Sequence, residues 1–240
     1  MVTKNEIKFI KSLTSKRIRN KLKLFVVEGE KSINEFLKSD YKVYKIYTIY
    51  PSTFNMPGKV FEISEKQLSQ ISSFKSPNKH LAVFKQVEFS LKNKKIYFIL
   101  DSVNDPGNLG TIIRTIDWFG YNQLICSKNS VDCYNPKVIQ STMGSLARVN
   151  VHYIDIIKFL KKSQLPIYGT SSKGNSIYKF SGNKKIGIWI FGSEANGISN
   201  DILKVINEKY TIPKFNSKIM TESLNLSTSF SIITSFLRSR

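Results

Sequence analysis

Three polar groupings sit at the ends of apolar runs, and each carries side chains able to hold or activate a ligand. Asn108 and Arg114 lie in Asp101-Ser102-Val103-Asn104-Asp105-Pro106-Gly107-Asn108-Leu109-Gly110-Thr111-Ile112-Ile113-Arg114. The amide both donates and accepts hydrogen bonds, and the guanidinium is a fixed positive charge. Glu194 lies in Gly192-Ser193-Glu194-Ala195-Asn196-Gly197. A strand-end acid of this kind either serves a helix entry or holds a cation such as Arg114. The third grouping, Thr221-Glu222-Ser223-Leu224-Asn225-Leu226-Ser227-Thr228-Ser229-Phe230, crowds hydroxyls and one amide together. It reads as a helix entry with Thr221 as N-cap and with Leu226, Phe230, Ile233 and Leu237 on one apolar face. Free N–H groups in such a first turn suit recognition of a polar ligand. An ordinary Ser/Thr-rich helix entry has the same composition.

These groupings need elements to position them. Ile96–Leu100 and Ile186–Phe191 are continuous apolar runs, as in buried parallel strands. The first ends just before Asn108, the second at Gly192. Asp-Pro-Gly predicts a tight turn, and Gly110 permits close backbone approach. Between and after them the pattern predicts helix 109–119, strand 123–126, helix 136–147, strand 148–151, helix 154–162 and strand 166–168. A short helix within 195–204, a strand over 209–212 and a last helix over 222–238 follow. Alternating strands and helices predict a mostly parallel sheet covered on both faces. In such folds ligands bind beyond the carboxyl ends of the strands. Neither the phosphate-loop pattern nor the dinucleotide fingerprint occurs.

Upstream, the pattern gives a helix over 4–21, strand 22–27, helix 31–38, strand 41–50, strand 60–63, a Ser64-capped helix and strand 81–87. This is a small α/β domain over residues 1–88. A lysine-rich polar stretch then leads into a second domain, 89–240.

The 240 residues carry a net charge of +20, which points to a polyanionic partner, nucleic acid above all. Eight basic residues against one acid fall between Lys4 and Lys23. Lys16, Arg17 and Arg19 are its candidate phosphate contacts, with a solvated helix face as the other reading. Cys126 and Cys133 have no metal-ligand spacing and no histidine cluster, so neither a metal site nor a disulfide framework is expected. No apolar run reaches membrane-spanning length and the first residues lack a signal-peptide core, so a cytoplasmic protein without a membrane partner is expected.

Together the three groupings resemble the SpoU (TrmH-like) family of RNA ribose 2′-O-methyltransferases, of the SPOUT class. The family's Asn-x-Gly-x-x-x-Arg pattern is present as Asn108, Gly110 and Arg114. Its Gly-x-Glu-x-x-Gly pattern is present as Gly192, Glu194 and Gly197. Its Ile-Pro … Ser-Leu-Asn pattern is present as Ile212, Pro213, Ser223, Leu224 and Asn225. Residues 19–29 resemble the ribosomal-protein-like substrate domain of rRNA-directed members. The chain departs at Asn216, where members carry glycine, and in a longer Lys214–Met220 loop.

The resemblance implies a C-terminal domain with a deep trefoil knot, and a homodimer with its pocket at the subunit interface. It implies S-adenosylmethionine held mainly by backbone around Thr170, Gly192, Ile212 and Leu224. It implies Arg114 as the group acting on the ribose 2′-OH, with Asn108, Glu194, Ser223 and Asn225 fixing the reacting groups. The expected substrate is RNA, rRNA rather than tRNA. The alternative is an RNA-binding protein of the same fold without catalysis.

Overall fold

A computed structural model describes residues 2–74, 76–216 and 222–239. The chain forms two compact units. One holds Met1–Glu88 with Asp132–Arg148, the other Phe89–Val131 with Val149–Arg240.

The first unit opens with helices α1 (Lys4–Ser12) and α2 (Lys16–Leu22). The pattern over 4–21 predicts one helix, and the break has a local cause. Arg19 donates from Nη1 to the carbonyls of Leu13 (2.9 Å) and Thr14 (2.7 Å), satisfying acceptors that a helix end leaves open. Then come β1 (Leu24–Glu28), α3 (Glu30–Leu37), β2 (Val43–Thr48), β3 (Val60–Glu62), α4 (Glu65–Ile71) and β4 (His80–Lys85). Ser64 and Gln67 form a capping box at α4, matching the expected cap. The sheet order is β1-β4-β2-β3, with β4 antiparallel to both β1 and β2.

The second stretch begins with β5 (Ile96–Leu100), α5 (Pro106–Trp118) and β6 (Gln123–Ser127). Helix α6 (Pro136–Thr142) follows and belongs to the first unit. There Tyr134 packs its ring 4.6 Å from Phe25, beside Phe36, Tyr41 and Phe84. A single division at residue 88/89 leaves this segment out of the unit whose core it completes. The chain then gives β7 (Asn150–Ile154), α7 (Ile156–Lys162), β8 (Ile167–Ser176), β9 (Gly187–Phe191), α8 (Asn200–Leu203), β10 (Glu208–Thr211) and α9 (Leu226–Arg238).

These strands form one six-stranded sheet, ordered β10-β8-β9-β5-β6-β7, and every pairing is parallel. All their carboxyl ends therefore share one edge. The chain moves outward from β5 to β6 and β7, then returns on the other side of β5 through β8 and β9. The order reverses between β5 and β9, which makes the crevice beyond those two strand ends the natural ligand site. Helix α9 packs on α5 through Thr115 and Ser231, whose hydroxyls lie 3.0 Å apart. Its buried face is Leu226, Phe230, Ile233 and Leu237, the stripe read from the sequence.

Candidate active site

Asn108 reaches the crevice because α5 starts early. The side chain of Asp105 accepts the Asn108 N–H at 2.7 Å as N-cap, and Pro106 takes the first helical position. The Asp-Pro-Gly run is thus a cap and first turn, and Asn108 is in that turn. The preceding loop is braced from the β6 exit: Ser102 N–H donates to Ser127 Oγ (2.8 Å) and Val103 N–H to Ser130 Oγ (3.2 Å). Nothing in the type or spacing of these two serines marks them as braces, since their partners are backbone N–H groups.

Gly192 follows β9 directly. A Cβ built on it would lie 2.0 Å from the Gly197 carbonyl carbon, so the loop folds back where only glycine fits. Ser193 and Gly197 exchange both backbone hydrogen bonds, at 3.0 and 2.9 Å, and Gly197 has φ +64°. The hairpin presents Glu194, whose Oε1 accepts from Asn108 Nδ2. Of the two roles open to Glu194, holding Arg114 is not the one found; its partner is Asn108.

Asn225, not Thr221, is the N-cap of α9. Its Oδ1 accepts the N–H groups of Ser227 (2.9 Å) and Thr228 (3.3 Å), and the Ser227 hydroxyl (2.7 Å). Thr221 lies outside the described residues, as does most of the Lys214–Met220 loop. The Asn225 amide is left free to donate to Asn108 Oδ1 at 3.0 Å. Glu194, Asn108 and Asn225 thus form one hydrogen-bonded chain across three separate segments. Ser223 and Leu224 are exposed immediately before the cap.

Gly192 and Ile212 stand just past the carboxyl ends of β9 and β10, and Thr170 lies within β8, the strand between them, one residue beyond its last pairing with β9. Thr170 donates its hydroxyl to the Ile190 carbonyl (3.2 Å). Among the described residues no group of three or more His, Cys, Asp or Glu could hold a metal ion.

Arg114 is exposed on α5, with no hydrogen bond or ion pair to the described residues. It is four residues before Trp118, so the two share one helix face. Trp118 is 85% exposed.

Exposure separates the three candidate phosphate contacts. Lys16 and Arg17 are exposed, but Arg19 is 1% exposed. Its Nη2 and Nε donate to Asp132 Oδ2 at 2.6 and 3.1 Å. With Nη1 also engaged, its guanidinium is a buried structural cation and not an RNA contact. Spacing alone could not reveal this, because Asp132 is 113 residues away.

Residues 95–235 match the SpoU rRNA Methylase family, and residues 4–82 match the MRM3-like substrate binding domain. The chain belongs to the SpoU rRNA methylase family. It is 29% identical over 243 residues to the 23S rRNA (guanosine(2553)-2′-O)-methyltransferase RlmP of Bacillus subtilis, covering 97% of this chain and 96% of that protein. Its structure resembles that of a putative RNA methyltransferase of the TrmH family from Porphyromonas gingivalis, with TM-score 0.89, 32% identity and coverage of 99% and 98%. The AdoMet-bound rRNA methyltransferase of Sinorhizobium meliloti has the same fold, with TM-score 0.86, 24% identity and coverage of 99% and 95%.

Proposed function

We propose that this chain methylates a ribose 2′-OH of ribosomal RNA, with S-adenosylmethionine as methyl donor. The observation that carries the reading is the hydrogen-bonded chain Glu194–Asn108–Asn225, which joins all three family motifs at the switch-point crevice. A relative acting on 23S rRNA along nearly the full length of both chains favours rRNA over tRNA.

When bound, S-adenosylmethionine would supply an electrophilic methyl: the ribose oxygen would take it as the carbon–sulfur bond breaks, with S-adenosylhomocysteine as leaving group and the hydroxyl proton released to water. The chain's own contribution is largely alignment, since holding reactants in register removes much of such a barrier. Backbone around Thr170, Gly192, Ile212 and Leu224 holds the donor. Asn108, Glu194, Ser223 and Asn225 fix the loops and the ribose. A guanidinium is a poor base, so Arg114 serves as a fixed positive charge that stabilises charge building on the 2′ oxygen.

A homodimer belongs to this reading. A groove of about 500 Å³ is lined by Phe119, next in sequence to the exposed Trp118, with Tyr178, Ile232 and Phe236, two serines of α9 and its C-cap Ser239. An exposed apolar groove of this kind fits a surface that a second copy of the chain covers. The reading also includes the knot, which the return of the C-terminal segment to Asn108, on the helix that follows the inner strand β5, supports. The first unit docks RNA, through Lys16 and Arg17 among others, and the protein works in the cytoplasm. No described helix is long and apolar enough to cross a membrane.

Calorimetry with S-adenosylmethionine, followed by mapping of 2′-O-methyl groups on rRNA treated with the protein, tests the proposal. It predicts micromolar binding that a chelator does not disturb, and methylation of one ribose. Cofactor-independent RNA binding with no methyl transfer would favour the non-catalytic alternative.

A further inference from the structure

Asp101 follows β5 and is 4% exposed, a buried carboxyl group to which the mechanism above gives no part. Its backbone N–H donates to the Phe191 carbonyl at 2.8 Å. Its Oδ2 accepts the backbone N–H of Ser199, also at 2.8 Å, and its Oδ1 accepts the Ser102 hydroxyl at 3.1 Å. Phe191 and Ser199 are the two ends of the segment carrying Gly192, Glu194 and Gly197. One residue therefore holds both ends of that loop, while the Ser193–Gly197 pair closes the hairpin within it. The entry to the loop is held as any parallel ladder would hold it. The exit is held by a side chain, and the carboxyl group of Asp101 reaches a residue 98 positions away to do so.

We propose that Asp101 is a positioning residue for S-adenosylmethionine binding: its carboxyl group clamps the Gly192–Ser199 loop to the end of β5. This rests on the reading that the loop holds the cofactor. The clamp sets where the Gly192 backbone stands and brings Glu194 within reach of Asn108. An unclamped loop would sample other positions, and binding would have to order it again. Docking of RNA on the first unit does not depend on the clamp.

The test uses the full chain and three variants. Asp101→Ala removes the acceptor. Ser199→Pro removes the donor from the other side, at a residue whose φ of −62° suits proline. Asp101→Asn keeps an oxygen for the Ser199 N–H and can donate to the Ser102 hydroxyl. Calorimetry should show S-adenosylmethionine binding weakened about tenfold to a hundredfold in Asp101→Ala and Ser199→Pro, the range of one hydrogen bond to a charged group. Asp101→Asn should stay within about threefold of the unaltered chain. The double variant should bind no worse than the weaker single one, because both remove the same bond. RNA affinity should be unchanged in all of them. If Asp101→Ala does not fold, Ser199→Pro and Asp101→Asn decide. Cofactor binding equal to the unaltered chain in Ser199→Pro, or an equal loss of RNA affinity, overturns the clamp while leaving the cofactor reading intact. An unaltered chain that does not bind S-adenosylmethionine overturns both.

Discussion

Asn225 donates its side-chain amide to the Asn108 carbonyl oxygen across 3.0 Å, linking the start of α9 to the start of α5 over 117 residues of sequence. The same side chain caps α9 with its oxygen. The two functions use different atoms and can be separated. Asn225→Asp keeps the capping oxygen but loses the donor, and faces Asn108 and Glu194 with added negative charge. It should keep the thermal midpoint and lose methyl transfer. Asn225→Ala loses both, and should also cost about 0.5–2 kcal/mol of stability as a deleted cap. Equal activity in Asn225→Asp and the unaltered protein would show that the link is not needed.

The Arg19–Asp132 pair holds the segment around Tyr134 to the first unit. Arg19→Ala leaves a buried carboxylate without its cation and should cost about 3–5 kcal/mol in denaturant unfolding. Its loss should act through stability and not through a phosphate contact.

Lys16 and Arg17 give the complementary case. Neutralising both should leave unfolding unchanged within about 0.5 kcal/mol, as for exposed sites. The log–log salt dependence of RNA binding should become shallower by about 0.7–0.9 per lost phosphate contact. An unchanged slope would mark these side chains as solvated surface.

The exposed Trp118 tests the dimer. Trp118→Glu places a charge on the apolar face and should shift light-scattering mass from twice that of one chain to that of one chain. Methyl transfer should fall with it. A Trp118→Glu dimer would move the interface elsewhere.

Much of the fold and of the site is legible in the sequence. The parallel sheet showed itself in the unbroken apolar runs IYFIL and IGIWIF, and the site showed itself in the glycines and polar residues at their ends. Gly192 was readable because a close loop return admits nothing larger. What stayed hidden were choices made by distant partners. Thr221 and Asn225 are both good caps by type, and only the folded chain shows Asn225 Oδ1 on the N–H groups of Ser227 and Thr228. Arg19 looked like its exposed neighbours Lys16 and Arg17 until Asp132 arrived from another part of the chain. Asp101 was silent because its partner is a backbone N–H, which every residue but proline carries.

In the proposed mechanism Arg114 acts on the chemistry and not on cofactor binding. Single-turnover methylation of an rRNA substrate by Arg114→Ala, with S-adenosylmethionine affinity measured in parallel, tests it most directly. The account predicts affinity within a few-fold of the unaltered protein and a rate lower by roughly 10²–10⁴. Arg114→Lys should recover part of the rate if positive charge alone suffices, and none if the planar guanidinium is required. Methylation by Arg114→Ala at the unaltered rate would contradict the account.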